Sequence, residues 1–396
     1  MFDKLFPTMV VGSMPRPQFF REMVDRYLME GGSEEDLLRL MDRSIPYVAA
    51  LQEAAGLDVI SDGEWRRKSY IGIIADMVTG FELEKVEVDS YRHGAYVGYT
   101  VTGKVEPVSP GLFAREARLF KRHTDREVRV AIPTPYHVGV VQWDRERSGG
   151  VYPTRRDLVE DLIPIIRQEV ILLRDEGVRY IQFDDTTIGR ISDSIRKTRV
   201  EALDDPDGEL EYAVDSLNRV VDGIENVHLS LHLCGKRQLN LTGDETGYDT
   251  LLPGIKHLNF NMLMFELSEA TPRDLKMLEA LPEQMEIGVG CVHSKKEGVD
   301  TPEQIAGRVR RVLEVVAPER IAMHPDCGFS PGAYWDIPLD EATRLAQQAT
   351  RRYAKRQMTW LRHQLIPDQV MVEQYSERMT SKIFSYISTF LLTPDN

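Results

Sequence analysis

The sequence predicts a (β/α)8 barrel, and three observations carry that expectation. Eight short apolar runs, near residues 10, 60, 130, 182, 230, 262, 289 and 323, read as buried strands. Most are separated by segments of helical periodicity, the alternation expected of a parallel sheet with crossover helices. The runs end in polar or titratable residues, and such barrels keep their chemistry at the carboxyl ends of the strands.

Taken in order, Thr8-Met9-Val10-Val11-Gly12-Ser13 is a short strand followed by a turn. Ser33-Glu34-Glu35-Asp36 starts a helix that runs toward Ala55-Gly56, where the glycine suits a helix end. Asp58–Glu64 is a second strand closing in acidic groups. From Phe81 to Val108 apolar residues alternate around His93-Gly94, which reads as an inserted antiparallel hairpin. Val128–Pro133 is the next strand. Thr154–Gly177 is a periodic helix with Leu158, Leu162, Ile165, Ile166, Val170 and Leu173 on its apolar side.

Tyr180–Asp185 then forms a strand ending in two carboxylates. Helices near Gly208–Ile224, Gly247–Ile255 and Pro272–Leu281 alternate with the strands Val227–Cys234, Leu258–Glu266 and Met285–Val292. Thr301-Pro302-Glu303-Gln304 is a helix start that leads to the strand Arg320–Cys327. The expectation is a single barrel domain over 1–396, with the hairpin insertion at 81–108 and a helical C-terminal extension at 339–396. That extension reads as packing over the barrel bottom, with homodimerisation as the alternative.

Composition narrows the class. A length of 396 residues with 42% hydrophobic content suffices for one large barrel. The net charge of -14 argues against a general nucleic-acid-binding surface. Three cysteines are too few for a disulfide scaffold; with no evident signal peptide they fit a reducing cytoplasm and catalytic or metal roles. No run approaches the roughly 18 to 20 apolar residues that cross a bilayer. A soluble cytoplasmic protein without membrane or nucleic-acid partners is expected.

The strand ends collect Ser13, Asp62, Glu64, Asp184, Asp185, His232, Cys234, Glu266, His293 and Cys327. His232 and Cys234 lie two apart and so face the same side of a strand. Cys327 adds a second thiol from another strand end, making a nitrogen-and-sulfur donor set of the kind zinc prefers. Glu266 supplies an oxygen ligand; Glu269 competes but falls beyond the strand end. Cys291 reads as a small buried hydrophobe. Arg16, Arg66, Arg67, Lys236 and Arg237 follow strand ends and either bind an anionic group or form surface ion pairs.

In order along the chain stand Val11-Gly12-Ser13-Met14-Pro15, Ser61-Asp62-Gly63-Glu64, Ile181-Gln182-Phe183-Asp184, His232-Leu233-Cys234, Phe265-Glu266 and Pro325-Asp326-Cys327-Gly328. Together, over roughly residues 8 to 335, they resemble the catalytic domain of cobalamin-independent methionine synthase. The resemblance implies a (β/α)8 barrel with zinc held by His232, Cys234, Glu266 and Cys327. It also implies that Ser13, Glu64 and Asp184 hold the ammonium and carboxylate of homocysteine, with Asp185 beside them.

Three departures qualify what the resemblance implies. The family's folate-binding half has no counterpart here, which leaves the donor open. Asp184-Asp185-Thr186 replaces an Asp-Glu-Pro and is more similar to a short single-barrel branch that includes epoxyalkane:coenzyme M transferase. Where the synthase has an acid histidine, this chain has His293-Ser294-Lys295-Lys296: by alignment Lys295 takes the place, and His293 lies two residues earlier.

The leading expectation is zinc-dependent transfer of an alkyl group, methyl first, to the thiol of a small acceptor such as homocysteine. Asp184, His293 and Lys295 are its catalytic candidates. Thiol addition to an epoxide, with His293, Lys295 or Tyr70 as proton donor, is the second enzyme reading, together with a carbon–sulfur lyase. A non-catalytic zinc barrel that binds a corrinoid or other methyl-carrier protein is the third. The bland readings are a solvated loop histidine for His293 and helix-capping carboxylates for Glu64 and Asp184.

Overall fold

The computed structural model describes residues 4–16, 20, 30–31, 33–67, 69–89, 94–191, 206–234, 248–294 and 299–329. Seven strands form one parallel sheet: β1 (Val59–Ile60), β4 (Glu127–Pro133), β5 (Tyr180–Asp185), β6 (His228–Leu233), β7 (Met262–Glu266), β8 (Glu286–Val292) and β9 (Ile321–Pro325), in that order. The eighth place belongs to Thr8–Met9. Thr8 pairs in parallel with Met323 and Met9 with Val59. The Met9 N–H donates to the Met323 carbonyl at 3.0 Å, and the Val59 N–H donates to the Thr8 carbonyl at 3.1 Å. This short segment closes the sheet into the barrel.

Alternation along each strand divides the core into two layers. Ile181, Phe183, Leu229, Leu231, Leu263, Phe265, Ile287 and Val289 join the large outer cluster beneath the helices. Met9, Val11, Val59, Met262, Met264 and Ala322 form a separate inner cluster. Gln182, Asp184, Ser230, His232, Glu266 and His324 continue that inner alternation and are buried too. An apolar floor therefore underlies a polar upper interior.

Among the described residues the α-helices are α1 (Glu34–Ala54), α2 (Leu112–Lys121), α3 (Pro135–Gln142), α4 (Arg145–Ser148), α5 (Arg155–Asp175), α6 (Pro206–Val221), α7 (Leu252–Ile255), α8 (Pro272–Glu279) and α9 (Pro302–Leu313). Capping boxes start α5 at Thr154, α8 at Thr271 and α9 at Thr301. Each satisfies N–H groups that the first helical turn leaves without intrahelical partners. The apolar stripe of α5 buries Leu158, Leu162, Ile166, Val170 and Leu173, while Ile165 lies at its margin. Glu169, also buried on α5, accepts the Gly111 N–H at 2.5 Å and so caps α2 from a distance.

The inserted hairpin is present as β2 (Phe81–Asp89) and β3 (Gly94–Val101), antiparallel, with Phe81 opposite Val101 and a bulge between Leu83 and Lys85. The chain from Thr102 to Val108 returns to the barrel through a Val78–Pro107 bridge. All described residues belong to the compact unit Met1–Ile337. The extension expected at 339–396 lies outside the described residues, and so does its expected role in dimerisation. Among the described residues no helix is long and apolar enough to cross a membrane.

Thr301→Ala removes the side-chain acceptor of the Gln304 N–H and should lower stability by about 1 kcal/mol, with Thr301→Ser close to wild type. Denaturant unfolding followed by circular dichroism reads the difference.

Candidate metal centre

Strand register brings the donor groups together. Asp184 pairs with His232, and His232 with Met264, so these three share one level of the barrel. Two residues further on, Cys234 and Glu266 share the next level. The Cys234 thiol lies 3.5 Å from Glu266 Oε1. Cys327, arriving past the end of β9, places its sulfur 3.2 Å from that of Cys234. Donor atoms of Cys234, Glu266 and Cys327 all lie within 4.8 Å of one another.

Cys234 and Glu266 are buried, and Cys327 is partly so. Ionised together, two thiolates and a carboxylate would concentrate negative charge away from water, at a cost that a bound cation removes. The soft sulfur donors and the enclosed position thus fit a divalent metal ion.

His232 stands beside this group, outside it. Its Nδ1 is 3.1 Å from Asp184 Oδ1, and its Nε2 is 3.1 Å from the Asp326 carbonyl oxygen. Burial alone would push the imidazole pKa down, but the Asp184 bond and charge outweigh it and hold it above the ordinary value. The His-x-Cys spacing puts both side chains inside the barrel, one level apart. The lower of the two meets Asp184 across the β5–β6 pair. His232 would join the donors by exchanging one of these two partners.

The scaffold under the donors is specific. The Cys234 N–H donates to the Asp185 carbonyl at 3.1 Å. Tyr248 joins the ends of β6 and β7: its hydroxyl donates to the Leu233 carbonyl at 3.0 Å and accepts the Glu266 N–H at 3.3 Å. Asp326 accepts the Ser268 N–H at 3.0 Å and the Ser268 hydroxyl, while its own N–H donates to the Val292 carbonyl at 2.8 Å. A Cβ at Gly290 would come within 2.7 Å of Asp326 Oδ1, so the missing side chain admits this carboxylate.

Next to the donors lies a pocket of carboxylates. A Cβ on Gly12 would sit 3.2 Å from Glu64 Oε1 and 3.9 Å from Asp184 Oδ2, which places both acids over the Gly12-Ser13 backbone. The Ser13 carbonyl accepts the Phe329 N–H at 2.8 Å, joining this turn to the Cys327 loop. Gln182 Nε2 donates to Asp184 Oδ1 at 2.6 Å and to the Val11 carbonyl at 2.7 Å. Glu64 has φ 60, an uncommon left-handed conformation for a residue with a side chain. Its carbonyl accepts from Arg16 at 2.8 Å, and Arg67 Nη1 lies 3.6 Å from its Oε1. Burial raises the Glu64 pKa to about 8; Arg67 opposes the rise, and the charges of Asp184, Asp62 and Glu116 add to it.

The family model for the catalytic domain of cobalamin-independent synthase matches residues 6–339. The chain belongs to this family. It is 29% identical over 328 residues to a methionine synthase of Sulfolobus acidocaldarius, covering 82% of this chain and 86% of that protein. The fold is similar to that of a B12-independent methionine synthase from Shewanella sp. W3-18-1, solved in complex with selenomethionine. That likeness has a TM-score of 0.67 at 19% identity and covers 90% of this chain and 100% of that one. A Listeria monocytogenes structure described as a putative vitamin-B12 independent methionine synthase gives 0.62 at 19% identity, over 87% and 99%.

Several expected residues of this synthase-family barrel take other positions. Asp185 is fully buried, and its carboxylate accepts from the Thr187 N–H, the Thr187 hydroxyl, the Ile188 N–H and the Thr134 hydroxyl. It ties the end of β5 to the start of α3, which leaves little for a ligand. Glu269 is exposed and lies 3.6 Å from His293 Nε2, so Glu266 is the carboxylate beside the thiols. His293 donates its N–H to Asp300, which Arg308 grips at 2.6 and 3.0 Å. Lys295, Lys236 and Arg237 lie outside the described residues. Arg66 pairs with Asp42, and Arg67 with Glu116, so neither adds to an anion site. Cys291 packs in the outer core, where burial pushes its thiol up to about 12.

Sequence reading missed three features. Tyr248 and Asp326 act through partners far along the chain. Arg129 breaks an apolar strand, Val128-Arg129-Val130, and is buried with no side-chain hydrogen-bond partner among the described residues. Burial lowers its pKa to about 10 against the charges of Asp184 and Glu64.

Because the Glu64 pKa is raised on folding, from near 4.3 in the unfolded chain, the folded state binds more protons between about pH 4.5 and 8. Its contribution is fully present at low pH and lost as pH rises through that window. The difference in thermal stability between wild type and Glu64→Gln should therefore change sign-consistently, in favour of the variant, as pH rises from 5 to about 8.

Proposed function

We propose that this barrel transfers a methyl group to the thiol of homocysteine, with zinc held by Cys234, Glu266, Cys327 and, after a change of partner, His232. One observation carries the reading. Two thiols and a carboxylate, a soft donor set, converge beside a second pair of acids, Glu64 and Asp184, over one turn of backbone. Bound zinc supplies a Lewis acid that favours the thiolate form of a coordinated thiol near neutral pH.

The chain's own residues set the substrate. Glu64 and Asp184 offer oxygens to the ammonium of an amino acid, and the turn at Ser13 offers polar groups to its carboxylate. A bound ammonium also favours the ionised form of Glu64, against the burial that raises its pKa. Gln182 and His232 hold Asp184 from two directions, so its carboxylate is oriented before a ligand arrives. The relatives named methionine synthase support the same acceptor. We assign His293, which follows β8, to serve the leaving group.

Cys327→Ser and Cys234→Ser should each lose most of the metal; purified wild type should carry about one zinc per chain by elemental analysis. Full occupancy in both variants with unchanged turnover overturns the site. Glu64→Gln should weaken homocysteine binding roughly 10- to 100-fold, the worth of one charged hydrogen bond. Calorimetry should show much less change for 2-mercaptoethanesulfonate, which lacks the ammonium; equal losses for both thiols would remove the ammonium pocket.

A further inference from the structure

A second polar cluster lies on the same rim and has no part in the ligand set. Tyr70 is half-buried, and its hydroxyl lies 2.6 Å from His137 Nε2. The two rings stack with centroids 5.8 Å apart and planes 23° apart. His137 Nδ1 lies 3.4 Å from the Thr186 hydroxyl. His137 is 1% exposed, in the first turn of α3, where its N–H caps onto Thr134. A histidine so deeply buried is costly to charge unless something nearby gains from the charge.

The cluster is wired to the donor group. Thr186 follows Asp185, whose carbonyl accepts the Cys234 N–H. Cys234, Asp184 and Asp185 are also the charges that add to burial in holding the Tyr70 phenol well above its ordinary pKa. Tyr70 thus stays protonated and can pass a proton only by exchanging one. Its hydroxyl and His137 Nε2 share one hydrogen bond; we assign the proton to the hydroxyl, which puts that of the neutral ring on Nδ1, facing Thr186.

We propose that Tyr70 and His137 take up and hold the proton of the acceptor thiol, an inference that rests on the thiol methyl-transfer reading above. The balance is simple. In R–SH + CH3–X → R–S–CH3 + H–X, the S–H and CH3–X bonds break and the S–CH3 and H–X bonds form. No net proton is consumed, so a group on the rim that keeps the proton leaving sulfur can return it when X accepts it. As the S–H bond breaks, Tyr70 oxygen receives that proton and passes its own to His137 Nε2. His137 then carries one positive charge opposite the thiolate and gives up the proton as H–X forms.

The test counts protons on the zinc-loaded full chain. Homocysteine binding is followed near pH 7 by calorimetry in two buffers of different ionisation enthalpy, in wild type and in Tyr70→Phe, which keeps the ring stacked on His137. The variant should release about one more proton per thiol than wild type, because Glu64 contributes equally to both and cancels. His137→Gln should show the same excess and decides the matter if Tyr70→Phe fails to fold. Methionine, which has no S–H bond, should show no difference between wild type and variants, whereas a merely structural defect would alter both ligands. Equal proton counts with homocysteine overturn the proposal while leaving the acceptor assignment intact. Failure of wild type to bind homocysteine overturns the acceptor and the proton store together.

Discussion

Parallel pairing is the constraint on which everything else in this barrel rests. Because all seven paired strands and the Thr8–Met9 segment run in one direction, every carboxyl end emerges on one rim. Register then decides which rim residues can meet. Asp184, His232 and Met264 are fixed to one level by backbone hydrogen bonds, and Cys234 and Glu266 follow two residues later. Donor groups that are 32 residues apart in sequence come within 3.5 Å without any local motif joining them. A one-residue slip would turn each of them toward the helices.

Much of this was legible because the barrel strands are buried on both faces, so they appear as short apolar runs between amphipathic helices. The Thr-x-x-Asp and Thr-x-x-Gln starts of α5, α8 and α9 are local chemistry, and the chain spells them out. Cys234, Glu266 and Cys327 were legible through residue type and position at strand ends. The fate of His232 was not. Period two reports which face a side chain takes, but its level against neighbouring strands depends on register, and that level hands His232 to Asp184. Asp185 was misread for a related reason. Two adjacent carboxylates at a strand end look alike in sequence, yet alternation sends Asp184 inward and Asp185 outward, where Thr134 and Thr187 consume it.

The polar upper interior draws on stability made elsewhere. Arg129 leaves its guanidinium nitrogens without hydrogen bonds among the described residues, and His324 Nε2 and Gln182 Oε1 share that condition. Each such group costs on the order of 1–3 kcal/mol relative to a paired one. The outer layer, from Leu158 and Phe183 to Leu263 and Val289, is apolar and closely packed, and its burial offsets that cost. What the interior gains is a buried positive charge that the carboxylates of Asp184 and Glu64 favour. Such local conflict is common where a fold keeps groups poised for ligands.

Asp326 shows how the same scaffold limits the spacing of the metal donors. Its carboxylate grips Ser268, two residues past Glu266; its carbonyl oxygen faces His232 Nε2; and its chain neighbour is Cys327. Three of the candidate ligands are therefore referenced to one residue, which fits only because Gly290 has no side chain at that point. Tyr248 adds an independent tie between Leu233 and Glu266. With both ties in place, the protein's own hydrogen bonds help to hold Cys234, Glu266 and Cys327 together. Preorganisation of this kind lowers the ordering cost of binding a metal. On the proposed zinc reading, the partners of His232, Asp184 and Asp326, would compete with the ion for its ring nitrogens. Zinc binding by His232 would then be coupled through that ring to the orientation of Asp184 in the neighbouring pocket.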